Sequence, residues 1–242
     1  MNSTVIQLTR HSLLGRRRVF ALLGLPAVLL ALAILIRSLL GVDSDLAVDL
    51  MGAFALGTLM PLLGLIAGTG AIGPEIDDGS ILYILSKPLR RSTIVLSKLL
   101  VAIATVFMLG VVPVFATGVI LGSEVHPIAI SYAVGALIAG VAYCALFLLL
   151  AIVTRNAVVI GLMYALVWES VVGQIVPGAQ ALSIQQWSLA IAERVAGEQA
   201  IYLGIESTVE LRTAIILLVA VIVGCTWLAT RRLRTLRLSE EG

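Results

Sequence analysis

Apolar residues in this chain fall in long continuous runs, and polar residues are gathered in short clusters between them. Runs of about 18–25 apolar residues fit a hydrocarbon core about 30 Å thick at 1.5 Å of helix per residue. Six such runs are expected to cross the membrane, over residues 19–36, 46–73, 97–121, 130–153, 157–176 and 211–230. A membrane β-barrel would need alternating segments of about ten residues, and these runs do not alternate. The expected fold class is an all-α polytopic membrane protein with six transmembrane helices in a single transmembrane domain over 1–242.

Composition sharpens that picture. The 242 residues are 60% hydrophobic and 12% charged, with a mean hydropathy of +1.10. One soluble core of this size could not hide that much apolar surface. Cys144 and Cys225 both lie in apolar runs, where a small buried hydrophobe is favoured over a disulfide or a metal ligand. No metal site is expected.

The position of the charges matters more than their sum. With a cytoplasmic N-terminus, thirteen of the sixteen Lys and Arg residues face the cytoplasm, and only Arg37, Arg194 and Arg212 face out. The positive-inside rule therefore puts both termini on the cytoplasmic side of a cell (plasma) membrane. Residues 1–18 become a basic surface helix or a basic tail. Residues 75–96 become a cytoplasmic loop. Residues 177–210 become an external loop, in which Ile184, Trp187, Leu189, Ile191 and Val195 suggest a short re-entrant or surface helix.

Two features inside the spans stand out. Ala53, Gly57, Pro61, Gly64 and Gly68 recur every three or four residues, which lays a seam of small residues on one helical face. The seam suits either packing within the chain or a dimer or path-lining face. Glu169 is a carboxylate within a span, where a charge at the centre costs about 2.5–3.5 kcal/mol. Pairing or snorkelling near the outer edge is the favoured reading. A polar group on a transport path or at a subunit seam is the alternative.

Several chemistries are excluded. Gly68 to Gly73 spells G-x-G-x-x-G, but it ends a membrane span and follows no β-strand, so it is not a dinucleotide fingerprint. The chain has no P-loop motif and no H-E-x-x-H, and neither His11 nor His126 sits where an intramembrane catalyst would need it. No catalytic residue, cofactor or nucleic-acid partner is expected of this chain.

The longest polar interruption in the first two-thirds of the chain is Glu75–Lys98. Its acids Glu75, Asp77 and Asp78 are expected to open a short helix, where they oppose the helix dipole favourably, and Pro88 is expected to close it. Glu75, the Gly79-Ser80-Ile81-Leu82 core, Leu85-Ser86-Lys87-Pro88, Arg91-Ser92 and Ser97-Lys98 resemble the E…G-T/S-I/L…L…P-x-S/R-R…K pattern of ABC-2-type transporter permeases. The closest flavour is the short six-span type, similar to nitrous-oxide-reductase maturation permeases and actinobacterial drug-type exporters. The motif match covers this loop, and the layout match covers the whole chain.

That resemblance implies a type V (ABC-2) exporter-like fold and a permease that pairs with a second copy, as a homodimer or with a close paralogue. It implies separate ABC ATPase subunits, which supply ATP and Mg chemistry and dock on the 75–98 loop. Carried over, Glu75, Asp77, Asp78, Gly79, Pro88, Arg90, Arg91 and Lys98 are the ATPase-subunit coupling positions. The mostly apolar spans favour an apolar or amphipathic cargo drawn from membrane lipid. The competing readings are an ATP-independent channel or transporter and a non-transporting membrane scaffold.

Overall fold

Hydrocarbon offers no water to backbone amides and carbonyls, so a spanning chain must bond them internally. Among the residues that the computed structural model describes (16–41, 44–78, 91–122, 127–172 and 178–235), every regular element is a helix. α1 is Arg16–Leu40. α2 is one rod of three consecutive pieces, Ser44–Asp49, Leu50–Leu59 and Met60–Asp77. α3 likewise joins Arg91–Val106, Phe107–Val111 and Val112–Leu121. α4 is Pro127–Val153, and α5 joins Ala157–Met163 to Tyr164–Val172. A tight turn at Ala179–Leu182 leads into α6 (Ile184–Ala196), α7 (Gln199–Leu203) and α8 (Leu211–Thr235). Five of these rods are long and apolar enough to cross a membrane, and the first part of α5 is a shorter apolar helix.

α4 is the centre of the bundle. α2, α3, α6 and α8 pack around it, while α1 leans on the far half of α3. The buried share of the spans reflects this, at 61% for α2 and α4 against 22% for α1 and α8. α4 can be surrounded because its sequence interleaves small residues (Gly135, Ala136, Ala139, Gly140, Ala142) with the large buried Tyr132, Tyr143 and Phe147. α6 is not laid on the surface. It is wedged against α4 and α8, with Ile184, Trp187 and Ala190 buried.

Two of the central rods change winding just before a proline. Leu50–Leu59 is wound as a π-helix, in which Met60 N–H bonds Ala55 O and the Thr58 hydroxyl bonds Ala53 O at 3.3 Å. Pro61 follows at once. Phe107–Val111 repeats the device, with Val112 N–H on Phe107 O ahead of Pro113. Proline has no N–H to give the carbonyl four residues back, so the preceding turn widens to find other partners.

The widened turn also explains the fate of the small-residue seam. Gly57, Pro61, Gly64 and Gly68 are buried, but Ala53 is exposed, because regular α spacing does not hold across Leu50–Leu59. Gly64 and Gly68 bring α2 against α4 within the chain. A Cβ on Gly64 would stand 2.5 Å from the Tyr143 Cβ, and one on Gly68 would stand 3.0 Å from the Cys144 carbonyl oxygen. Gly64→Ala is therefore expected to push the central helices apart and destabilise the fold by about 1–3 kcal/mol. Gly73→Ala, where a Cβ meets nothing within 4 Å, should be neutral or gain up to about 1 kcal/mol. Thermal unfolding of both variants in the same detergent checks the contrast. Equal midpoints would count against close packing at Gly64.

Candidate functional site

Among the described residues, two charged side chains, Lys98 and Glu169, are fully buried, one at each end of the bundle. At the end formed by the last turn of α2 and the start of α3, Lys98 is fully buried. Its ammonium donates to the Glu75 carboxylate at 2.6 Å and to the Ala71 carbonyl at 2.8 Å. Glu75 and Asp77 do not open a new helix, as their acidity suggested; they close α2, and exposed Asp78 caps it. That is the negative end of the helix dipole, where a carboxylate is unfavourable. Lys98 compensates by placing a cation against both the carboxylate and a carbonyl of the last turns. Two turns earlier on α3, the Arg91 guanidinium donates to the Leu233 carbonyl, tying the start of α3 to the end of α8. Both helices are longer at this end than the apolar runs alone suggest, since α2 continues past residue 73 and α3 begins before residue 97.

Of the positions singled out for coupling, Glu75 and Lys98 thus come together as an internal clamp between α2 and α3, and Arg91 separately ties α3 to α8. Asp78 remains on the surface. Gly79, Pro88 and Arg90 lie outside the described residues, as does most of the basic N-terminal segment.

At the opposite end, Glu169 is fully buried in α5. One carboxylate oxygen accepts from the Tyr164 hydroxyl at 2.8 Å and from the Ile184 amide at 3.1 Å. The other accepts from the Ser183 hydroxyl at 2.5 Å and, at the 3.5 Å limit, from the Gln185 amide. Ser183 is also the N-cap of α6, its hydroxyl oxygen accepting from the Gln186 amide at 3.4 Å. The carboxylate therefore sits on the positive end of α6 and uses the amides that a helix start leaves without intrahelical partners. Gln185 then reaches across to the Gly52 carbonyl at 2.9 Å, which fastens α6 to the π-wound part of α2. Tyr143 stacks on Phe147, and Phe147 meets Tyr164 edge-on with centroids 6.0 Å apart, so an aromatic wall from α4 closes the site.

Sequence reasoning found Glu169 but not its partners. Ser183-Ile184-Gln185-Gln186 has the S-x-x-Q spacing of a capping box, and that was the available signal. The match is half used, because the Gln186 side-chain oxygen accepts from Thr208 at 3.3 Å.

Comparison with protein families adds the remaining observation. The family model described as ABC-2 family transporter protein matches residues 38–232. The chain belongs to the ABC-2 transporter family. It is a transmembrane permease subunit, multi-pass in the membrane, and in this family that subunit is not itself catalytic. A search among the curated proteins found no match. The matched span of this ABC-2 permease includes the α2–α3 clamp and the Glu169 site, so both lie in the family's shared domain.

Two outcomes follow from the buried charges. Lys98→Met should destabilise the permease by about 3–5 kcal/mol, since it leaves a carboxylate without its cation, and adding Glu75→Leu should recover most of the loss. Unfolding midpoints of the single and double variants test this. A double variant as unstable as the single one would refute the pairing. Glu169→Ala removes the acceptor of two hydroxyls and a helix-start amide, each worth about 1–3 kcal/mol when left unpaired. Trypsin should then cut the detergent-solubilised chain at exposed Arg194 faster than in the native chain. Unchanged cleavage would mean that α6 is held by packing alone.

Proposed function

We propose that this permease is the membrane half of an ABC exporter. On this reading two copies pair, as a homodimer or with a close paralogue, and separate ATPase subunits dock on residues 75–98. The observation that carries the reading is the Glu75–Lys98 clamp. The polar segment between α2 and α3 enters and leaves through helices bonded to each other and, through Arg91, to the end of α8. A partner that moves this segment moves three helices together. ATP then acts by favouring one of two conformations through the partner, as any ligand with different affinities for two states does.

The orientation follows from charge. Arg91, Arg155, Arg231 and Arg232 all belong to the clamp end of the bundle, where Ile76 and Arg155 border one cavity and Arg231 stacks over Trp227 5.3 Å away. On this reading the basic end faces the cytoplasm, with both termini and the docking segment inside and the α6–α7 region outside. An apolar or amphipathic cargo suits the surface of α5, where Val158, Val159, Ile160, Leu162 and Met163 are exposed.

The test is purification from native membranes in mild detergent, with copurifying proteins identified by mass spectrometry. A P-loop ATPase is expected in equal amounts with the native chain. Asp78→Arg, an exposed reversal within the docking segment, should weaken its retention about tenfold, as opposed charges at an interface do. Glu210→Arg, exposed at the other end, should leave retention unchanged. A permease that runs without an ATPase, or that responds equally to both reversals, would overturn the reading in favour of a channel or scaffold.

A further inference from the structure

We propose that the cavity between the α4–α5 turn and the last turns of α2 binds the headgroup of an anionic phospholipid, with its acyl chains lying along α5. The proposal rests on membrane embedding and not on the partnership with an ATPase.

The cavity measures about 440 Å³, within the range of small-ligand pockets. Its floor is apolar and buried, made by Ala151, Ile152 and Ala157 with Thr69 behind them. Its rim is polar, made by Thr154, Arg155 and Asn156 of the tight turn. Arg155 is exposed and has no carboxylate partner among the described residues, and no acid borders the cavity among them. A guanidinium left facing an open hollow is matched by a phosphate, whose oxygens accept from its planar fork of donors.

The surface beside the hollow selects a lipid over a free phosphate. Val158 and Val159 border the cavity and are 53% and 64% exposed. Leu162 and Met163 repeat that exposed pair one helical turn further along α5, at 40% and 58%. An apolar stripe thus leads directly away from the cation. An anion acceptor joined to an apolar track is the complement of an amphiphile, and a soluble anion would have no contact with the track. Gly73 of α2 borders the open space of the hollow, since a Cβ there would meet nothing within 4 Å. Ile76 closes the third side, one residue from the Glu75 that holds Lys98. An occupied site therefore touches the turn of α2 that carries the clamp.

The full-length permease in mild detergent, titrated with phosphatidylglycerol or phosphatidylcholine and read by native mass spectrometry, tests the site. The native chain should retain phosphatidylglycerol in preference to phosphatidylcholine. Arg155→Gln should weaken phosphatidylglycerol retention roughly fivefold, the share of one basic residue at an anionic surface, and Arg155→Lys should keep most of it. Gly73→Leu, which fills the hollow without touching the cation, should abolish retention there. Equal retention of both lipids by the native chain would overturn the proposal, as would an Arg155→Gln chain that behaves like the native one. Displacement of the lipid by glycerol phosphate at the same concentration would also overturn it, because that probe has the anion and lacks the chains.

Discussion

A charge inside hydrocarbon has no water to return to, and among its described residues this permease buries two such charges. Each is met by the chain itself, and the way it is met decides how the helices are joined. Lys98 needs a carboxylate and a carbonyl, so the ends of α2 and α3 stay together. Glu169 needs several donors, and it finds them on its own helix and at the start of α6. Desolvating an ion costs several kcal/mol even after relaxation. Neither helix pair can part without leaving an ion exposed to that cost. The apolar contacts around α4 set the general shape, but they would tolerate sliding. The two ions do not.

These two sites meet in α2. Its C-terminal end is held through Glu75, and its N-terminal half is held through the Gly52 carbonyl to Gln185 of α6. Between them lie the π-wound turns of Leu50–Leu59 and the glycines that seat it on α4. The rod therefore connects the end near Asp78 to the region around α6, with close packing along its length. In such packing a small displacement is not absorbed locally, because interiors are dense and their side chains have few alternative positions. This is the physical reason for treating α2 as the element through which the two ends influence each other.

The class of the fold was legible because it follows from composition and run length alone, which need no knowledge of neighbours. The same holds for Glu169 as an unusual residue and for the motif that marks the α2–α3 segment. What was not legible depended on register or on distant partners. The small-residue seam was read with uniform α spacing, and the π-wound turns before Pro61 set Ala53 apart from the buried glycines. Glu75 and Asp77 were read as a helix start because acids favour that end. Lys98, twenty-three residues after Glu75, supplies the compensation that lets Glu75 lie in the last turn of α2 instead. The α6 segment has enough polar residues to pass for a surface helix. Its burial involves contacts with α4, α8 and Glu169, which lie outside residues 184–196.

The choice of a carboxylate for this last role has its own logic. A helix that begins inside a protein leaves its first amides without intrahelical partners, and one N-cap side chain satisfies only one or two of them. Ser183 serves the Gln186 amide with its oxygen lone pair and must then dispose of its own proton. A neutral amide from α5 would offer one acceptor oxygen and bring two further donors into a place already crowded with them. A carboxylate brings two oxygens and no donor, and its charge matches the helix dipole. Glu169 can therefore take the Ser183 proton, the Ile184 amide and the Tyr164 hydroxyl together. An ion that is costly on its own becomes the group that lets a polar segment lie within the bundle.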